Sequence, residues 1–69
     1  MTLLFKYKSF LVFETEITVQ FANGKIVNVL QIEDAQGNII KRADIWGLGC
    51  YSKAQAKTAI NKFLSNQQQ

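Results

Sequence analysis

Apolar and polar residues alternate along the first third of the chain with few interruptions. Odd positions Leu3, Phe5, Tyr7, Leu11, Phe13, Ile17, Val19 and Phe21 are apolar, broken by Ser9 and Thr15, while Lys6, Lys8, Glu14, Glu16, Thr18 and Gln20 hold even positions. A period of two belongs to a half-buried strand, because successive side chains point to opposite faces. Asn23-Gly24 then gives a strong hairpin signal, since both residues tolerate the positive φ of a type I′ turn. A second strand is expected over Lys25 to Glu33. Asp34 to Asn38 reads as a longer hairpin loop with Gly37 in the left-handed position. A third strand runs from Ile39 to about Trp46 and ends at Gly47-Leu48-Gly49.

The period changes after Cys50. Ser52-Lys53-Ala54-Gln55 has the form of a capping box, in which serine and glutamine satisfy orphan amides reciprocally. Ala56, Ala59, Ile60, Phe63 and Leu64 follow at helical spacing and form one apolar stripe. The sequence therefore predicts a helix from about Ser52 to Leu64. The fold class is α+β: an antiparallel meander of three strands with one C-terminal helix packed on one face. Residues 1–66 form a single domain, and 67–69 read as a frayed tail. The expected core is Leu11, Phe13, Ile17, Val19, Phe21, Ile60, Phe63 and Leu64.

The first segment is too long for so small a globule. Nineteen residues of straight strand at about 3.3 Å each would span roughly 63 Å, against a radius of gyration of about 11 Å for a chain of this length. Three resolutions are open: a break near Ser9 that makes a fourth strand, a bend, or an N-terminal arm paired with another chain. On the even positions Leu4, Phe10 and Val12 are apolar on the side expected to meet water, a pattern that marks an interface. These three residues are the expected protein interface. The simplest assembly is a homodimer through the N-terminal segment.

Composition narrows the chemistry. In 69 residues there is one cysteine and no histidine, which removes an internal disulfide, the usual general base and the commonest zinc ligand. Glu14 and Glu16 share a strand face but have no partner for acid–base work. Cys50 has no base in the sequence to activate it and suits a structural place. Gly47-Leu48-Gly49 matches no phosphate-binding fingerprint. Glu33-Asp34 reads as a hairpin shoulder rather than a metal site. A non-enzymatic protein without metal or cofactor is expected. The apolar runs fall far below the roughly 20 residues of a membrane span. A free thiol without a secretory segment points to the cytoplasm.

Charge divides unevenly. The net charge is +3, and residues 35–69 set Lys41, Arg42, Lys53, Lys57 and Lys62 against Asp44 alone. Such a half suits an acidic partner, nucleic acid or an acidic protein surface, although ordinary solubility charge gives the same count. Lys41, Arg42 and Trp46 interleave basic and aromatic character on the third strand, as nucleic-acid platforms do. A sole tryptophan in so small a domain is more often a core or rim anchor.

From Gly37 onward, Lys41-Arg42, Trp46, Leu48-Gly49, Tyr51-Ser52 and Ala56 with Ala59-Ile60 resemble the DNA-binding domains of arm-type tyrosine recombinases. They are similar also to the plant ethylene-response type of DNA-binding domain. In both, a basic third strand leads through a glycine–aromatic step into an alanine-rich helix. The resemblance implies a sheet face lying in the major groove. The expected nucleic-acid-binding residues are Lys25, Lys41, Arg42 and Trp46 on the sheet, with Lys53 and Lys57 adding charge from the helix. The alternative is a small protein-binding inhibitor of the kind phages and mobile elements encode, similar to anti-CRISPR proteins, which occludes a partner through an apolar strand patch.

Overall fold

The computed structural model describes residues 1–43 and 49–67. Strands β1 (Thr2–Tyr7), β2 (Phe10–Gln20), β3 (Ile26–Glu33) and β4 (Ile39–Lys41) form one open antiparallel sheet in the order β1-β2-β3-β4, followed by helix α1 (Lys53–Gln67). The long first segment is thus two strands. It folds back at Lys8-Ser9, whose φ angles of 49° and 70° are both left-handed, as a two-residue I′-like hairpin requires. The fourth strand removes the length argument for an arm reaching another chain. The radius of gyration is 12.2 Å.

The Asn23-Gly24 hairpin forms with a different turn from the one expected. Phe21 N donates to Lys25 O at 2.8 Å and Gly24 N to Phe21 O at 2.9 Å, enclosing a three-residue loop. Only Gly24 takes positive φ, at 87°, while the Asn23 side chain accepts from Lys25 N at 2.9 Å. The Asp34–Asn38 loop repeats this design. Asp34 N donates to Asn38 O, Gly37 N donates to Asp34 O, and Gly37 has φ 87°. The Asp34 carboxylate also accepts from the backbone of Gln36 and Asn38, each at 2.9 Å.

The main core lies between the helix and one sheet face; on the other face Val29 is also fully buried, beside Gly49 and Ala43. Phe10, Val12, Leu30, Ile32, Cys50, Ala56 and Ile60 form the main core, with Leu4, Phe5, Tyr7, Ile40, Ala59, Phe63 and Leu64 packed around them. The Phe10 and Phe63 rings meet edge to face at 5.8 Å. This reverses the expected parity of β2. Phe10 and Val12, expected to face water, lie under the helix; Leu4 occupies an irregularity in β1 and packs against the same cluster. Of the expected core, Ile60 is fully buried and Phe63 and Leu64 are half-buried beneath the helix. Leu11, Phe13, Ile17 and Val19 are only half-buried, and Phe21 is exposed against Tyr51. The physical reason is that both sheet faces carry apolar residues while a single helix covers one of them.

Polar detail holds the irregular places. Between Glu14 and Thr18 the β2–β3 register shifts. There the buried Thr15 hydroxyl donates to Val29 O at 2.7 Å and Asn28 Nδ2 donates to Thr15 O at 2.9 Å. The third strand expected to reach Trp46 ends at Lys41; Asp44 to Leu48, Trp46 among them, lie outside the described residues. Gly49, at φ 140°, presses against Val29, and Cys50 O accepts from Leu30 N at 2.7 Å. Ser52 then caps the helix, its hydroxyl accepting from Gln55 N at 3.2 Å. Gln55 Oε1 reaches back one residue beyond the serine, to Tyr51 N at 2.8 Å. The helix continues through Gln67, three residues past the expected end.

Candidate functional site

Of the six residues expected to bind nucleic acid, the five that are described do not share a face. Lys25 lies in the β2–β3 turn, which Phe21 anchors by its ring contact with Tyr51. Lys41 pairs with Ile32, which places it on the helix side of the sheet, and it borders a groove with Cys50, Tyr51, Ala54 and Lys62. Arg42 is exposed just past β4, and Trp46 lies outside the described residues. Lys53 and Lys57 stand one helical turn apart, with Lys57 on the flank that meets β1. The helix-free face is therefore not a basic platform. Its paired positions are Leu3, Lys6, Leu11, Phe13, Val19, Val27, Gln31, Glu33 and Ile39, mixed in charge and mainly apolar.

The junction of β1 with the helix brings basic and aromatic groups together. Phe5 and Tyr7 project from β1 to the helix side, because alternation sets them with Val12 and Phe10. Lys57 Nζ lies 5.9 Å from the Phe5 ring centroid and 5.6 Å from that of Tyr7. Lys8 Nζ lies 5.3 Å from the Tyr7 ring and donates to Asn61 Oδ1 at 2.8 Å. Tyr7 Oη donates to the same oxygen at 3.3 Å. Asn61 is one turn beyond Lys57, so Lys53, Lys57 and Asn61 make a single ladder beside the strand. The Asn61 amide, with the charges of Lys8 and Lys57, holds the Tyr7 phenol below its ordinary pKa, while burial acts in the opposite direction. Two ammonium groups thus lie at cation–π distance from one aromatic ring. Among the described residues none of these lysines is neutralised by a carboxylate.

Lys8, Tyr7, Phe5 and Asn61 are the residues that sequence reasoning missed. Lys8 sits in a turn without a glycine or asparagine signature, so its return toward the helix had no signal. Asn61 falls on the polar side of the helical pattern and differs from its neighbours only by the contacts it makes.

The remaining candidate chemistry is quiet. Cys50 is buried in the core; burial pushes its thiol pKa up, against the smaller pull of Lys41. A thiol held neutral is a weak nucleophile. Among the described residues no group of three histidine, cysteine or acidic side chains gathers to hold a metal. Nor is any described helix long and apolar enough to cross a membrane. Compared with known protein families, curated proteins and solved structures, the chain matches none.

Proposed function

We propose that the protein is a small nucleic-acid-binding module that holds the phosphate backbone along the β1–helix flank. The observation that carries this reading is the placement of Lys8 and Lys57 over Tyr7, with Lys53 one turn away and, among the described residues, no carboxylate paired to any of the three. Unpaired lysines in a row suit a polyanion. They release counterions when phosphates replace them, and their point charges read no base sequence. Tyr7 and Phe5 are half-buried, and the ring surface they leave open is where an unstacked base could rest. Lys41, Arg42 and Lys62 on the other flank add longer-range attraction. This moves the interface from the sheet face, where the DNA-binding domains named above would place it, to the helix layer.

Titration of a labelled oligonucleotide by fluorescence anisotropy at several salt concentrations tests the reading. Affinity should fall steeply with salt, and each of Lys8→Ala, Lys53→Ala and Lys57→Ala should lower the slope of log affinity against log salt by about one. Tyr7→Leu should weaken single strands more than duplex, by about 1–3 kcal/mol if a base stacks there. Lys25→Ala, in the turn at the opposite end of β2 from Lys8, should change little. Binding that is absent, or insensitive to all three lysines, overturns the proposal.

The inhibitor reading relied on Phe10 and Val12 facing outward. Both are in the core, so that strand patch is not open to a partner.

A further inference from the structure

We infer that the helix-free face of the sheet is the contact surface for a second copy of this chain, related by a two-fold axis running parallel to β2. Register places one polar row across this face: Lys6 on β1, Leu11 on β2 and Glu33 on β3, each opposite the next. Leu3 and Phe13 form the adjoining row, which ends on β3 at Gln31, already buried within the chain like Val29 beyond it, so the open part of the face is the Lys6–Leu11–Glu33 end. Lys6 and Glu33 stand on either side of Leu11, so no ion pair joins them within the chain. Among the described residues the Glu33 carboxylate accepts only from Gln31 Nε2, at 3.2 Å, and keeps its charge uncompensated. A half-turn about an axis above β2 exchanges left for right while keeping position along the strands. It sets Lys6 of each copy opposite Glu33 of the other, and Leu11 and Phe13 opposite their own equivalents. The face is thereby self-complementary in charge and apolar at its centre, the condition an isologous interface must meet. Leu3 is 49% exposed and Ile39 40%, side chains that a monomer leaves in water. Beside Leu11 the surface dips into a shallow concavity bounded by Lys6, Ser9, Leu11 and Ala35, room for a side chain from the facing sheet. Two such sheets would pack as a sandwich with the helices outside, so the β1–helix flanks of both copies would stay open.

The test is sedimentation equilibrium of the free protein, without nucleic acid, from about 10 to about 500 µM, since a self-association shows itself by its dependence on protomer concentration. The wild-type chain should dimerise. Lys6→Glu and Glu33→Lys each set like charges together twice per dimer, and each should weaken association about a hundredfold. The double variant K6E/E33K should restore it. Far-UV circular dichroism of each variant confirms that the fold is kept, as expected for side chains outside the core. A monomeric wild type, single variants that dimerise as the wild type does, or a double variant that stays monomeric each overturn the inference. A dimer joined through the edge of β1, for example, would ignore Glu33→Lys. The two proposals fail separately, because this measurement involves no nucleic acid and the lysine ladder lies on the other side of the sheet.

Discussion

Ile60 decides whether the helix seals the sheet as described. Its side chain is completely buried against the Phe10, Val12, Leu30 and Ile32 face. Ile60→Ala removes three buried carbons, worth about 0.8 kcal/mol each on transfer. The cavity left behind adds to this, because neighbours in a sheet relax only partly, and large-to-small changes of this kind cost about 2–5 kcal/mol. Alanine's better helix propensity returns only a few tenths. A net loss of about 3 kcal/mol is therefore expected. A domain of this size has a total stability of roughly 3–10 kcal/mol, so the variant should be barely folded at room temperature. Ile60→Val, expected to cost about 1 kcal/mol, gives the measurable intermediate point. Urea unfolding followed by far-UV circular dichroism reads both. At about 4–8 °C per kcal/mol, the valine variant should melt roughly that much lower. Thr58→Ala, exposed on the same helix, is the control and should stay within about 0.5 kcal/mol of wild type. If Ile60→Ala unfolded at the wild-type urea concentration, or cost no more than Thr58→Ala, the helix would not be packed on this face.

Four further outcomes follow from particular places in the fold. Ser9→Gly should stabilise by about 1 kcal/mol in thermal unfolding, since Ser9 holds φ 70° where a glycine carries no Cβ penalty. Gly49→Ala should destabilise by more than about 1 kcal/mol in the same assay. The added Cβ would lie 2.7 Å from Val29 Cγ1 and 3.1 Å from Leu30 O, at a φ that side chains avoid. Asp34, whose pKa is lowered first by the Asn38 side chain and then by backbone amides, gives stability that is full above the ordinary carboxylate pKa and lost as pH falls through its lowered one. Asp34→Asn should flatten that acid limb in melting curves taken across this range. Cys50 should react with a disulfide reagent only through opening of the core, on the order of 10³-fold more slowly than in urea, and Ile60→Val should speed it.

Much of the fold was legible because it is local. The Asp34–Asn38 loop has its glycine where the left-handed residue falls, and the Ser52 cap with its glutamine marks the helix start to within one residue. The β1–β2 turn was not legible as a turn. Lys8-Ser9 takes the two positive φ values that Asn23-Gly24 advertises, while Asn23-Gly24 forms a longer loop with only Gly24 left-handed. Turn type there is set by the pairing of the flanking strands, Tyr7 with Phe10, and the residues between accept the strain.

Parity was illegible for a related reason. Strand alternation says which residues share a face; it does not say which face the helix covers. In β2 the odd positions include Leu11, Phe13, Ile17 and Val19, more apolar residues than Phe10 and Val12 supply on the even ones. What selects the even face is contact from distant segments: Phe63 against Phe10, and Ile60 with the Val12–Ile32 pair. The surplus of apolar residues on the odd face then needs its own account. A sheet with water on one side commonly alternates apolar inside and polar outside, and this one does not, since Leu3, Leu11 and Phe13 lie where polar residues are expected. The site follows the same logic. The lysines that gather do so because Lys8 returns through an unmarked turn to meet a helix fifty residues later, a proximity that no spacing along the chain encodes. One side of the molecule thus presents uncommitted positive charge over an aromatic ring, and the other an apolar strip with matched opposite charges at its borders. A protein that binds a polyanion through the first gains from doubling it through the second, because two linked lysine ladders raise avidity without any new contact.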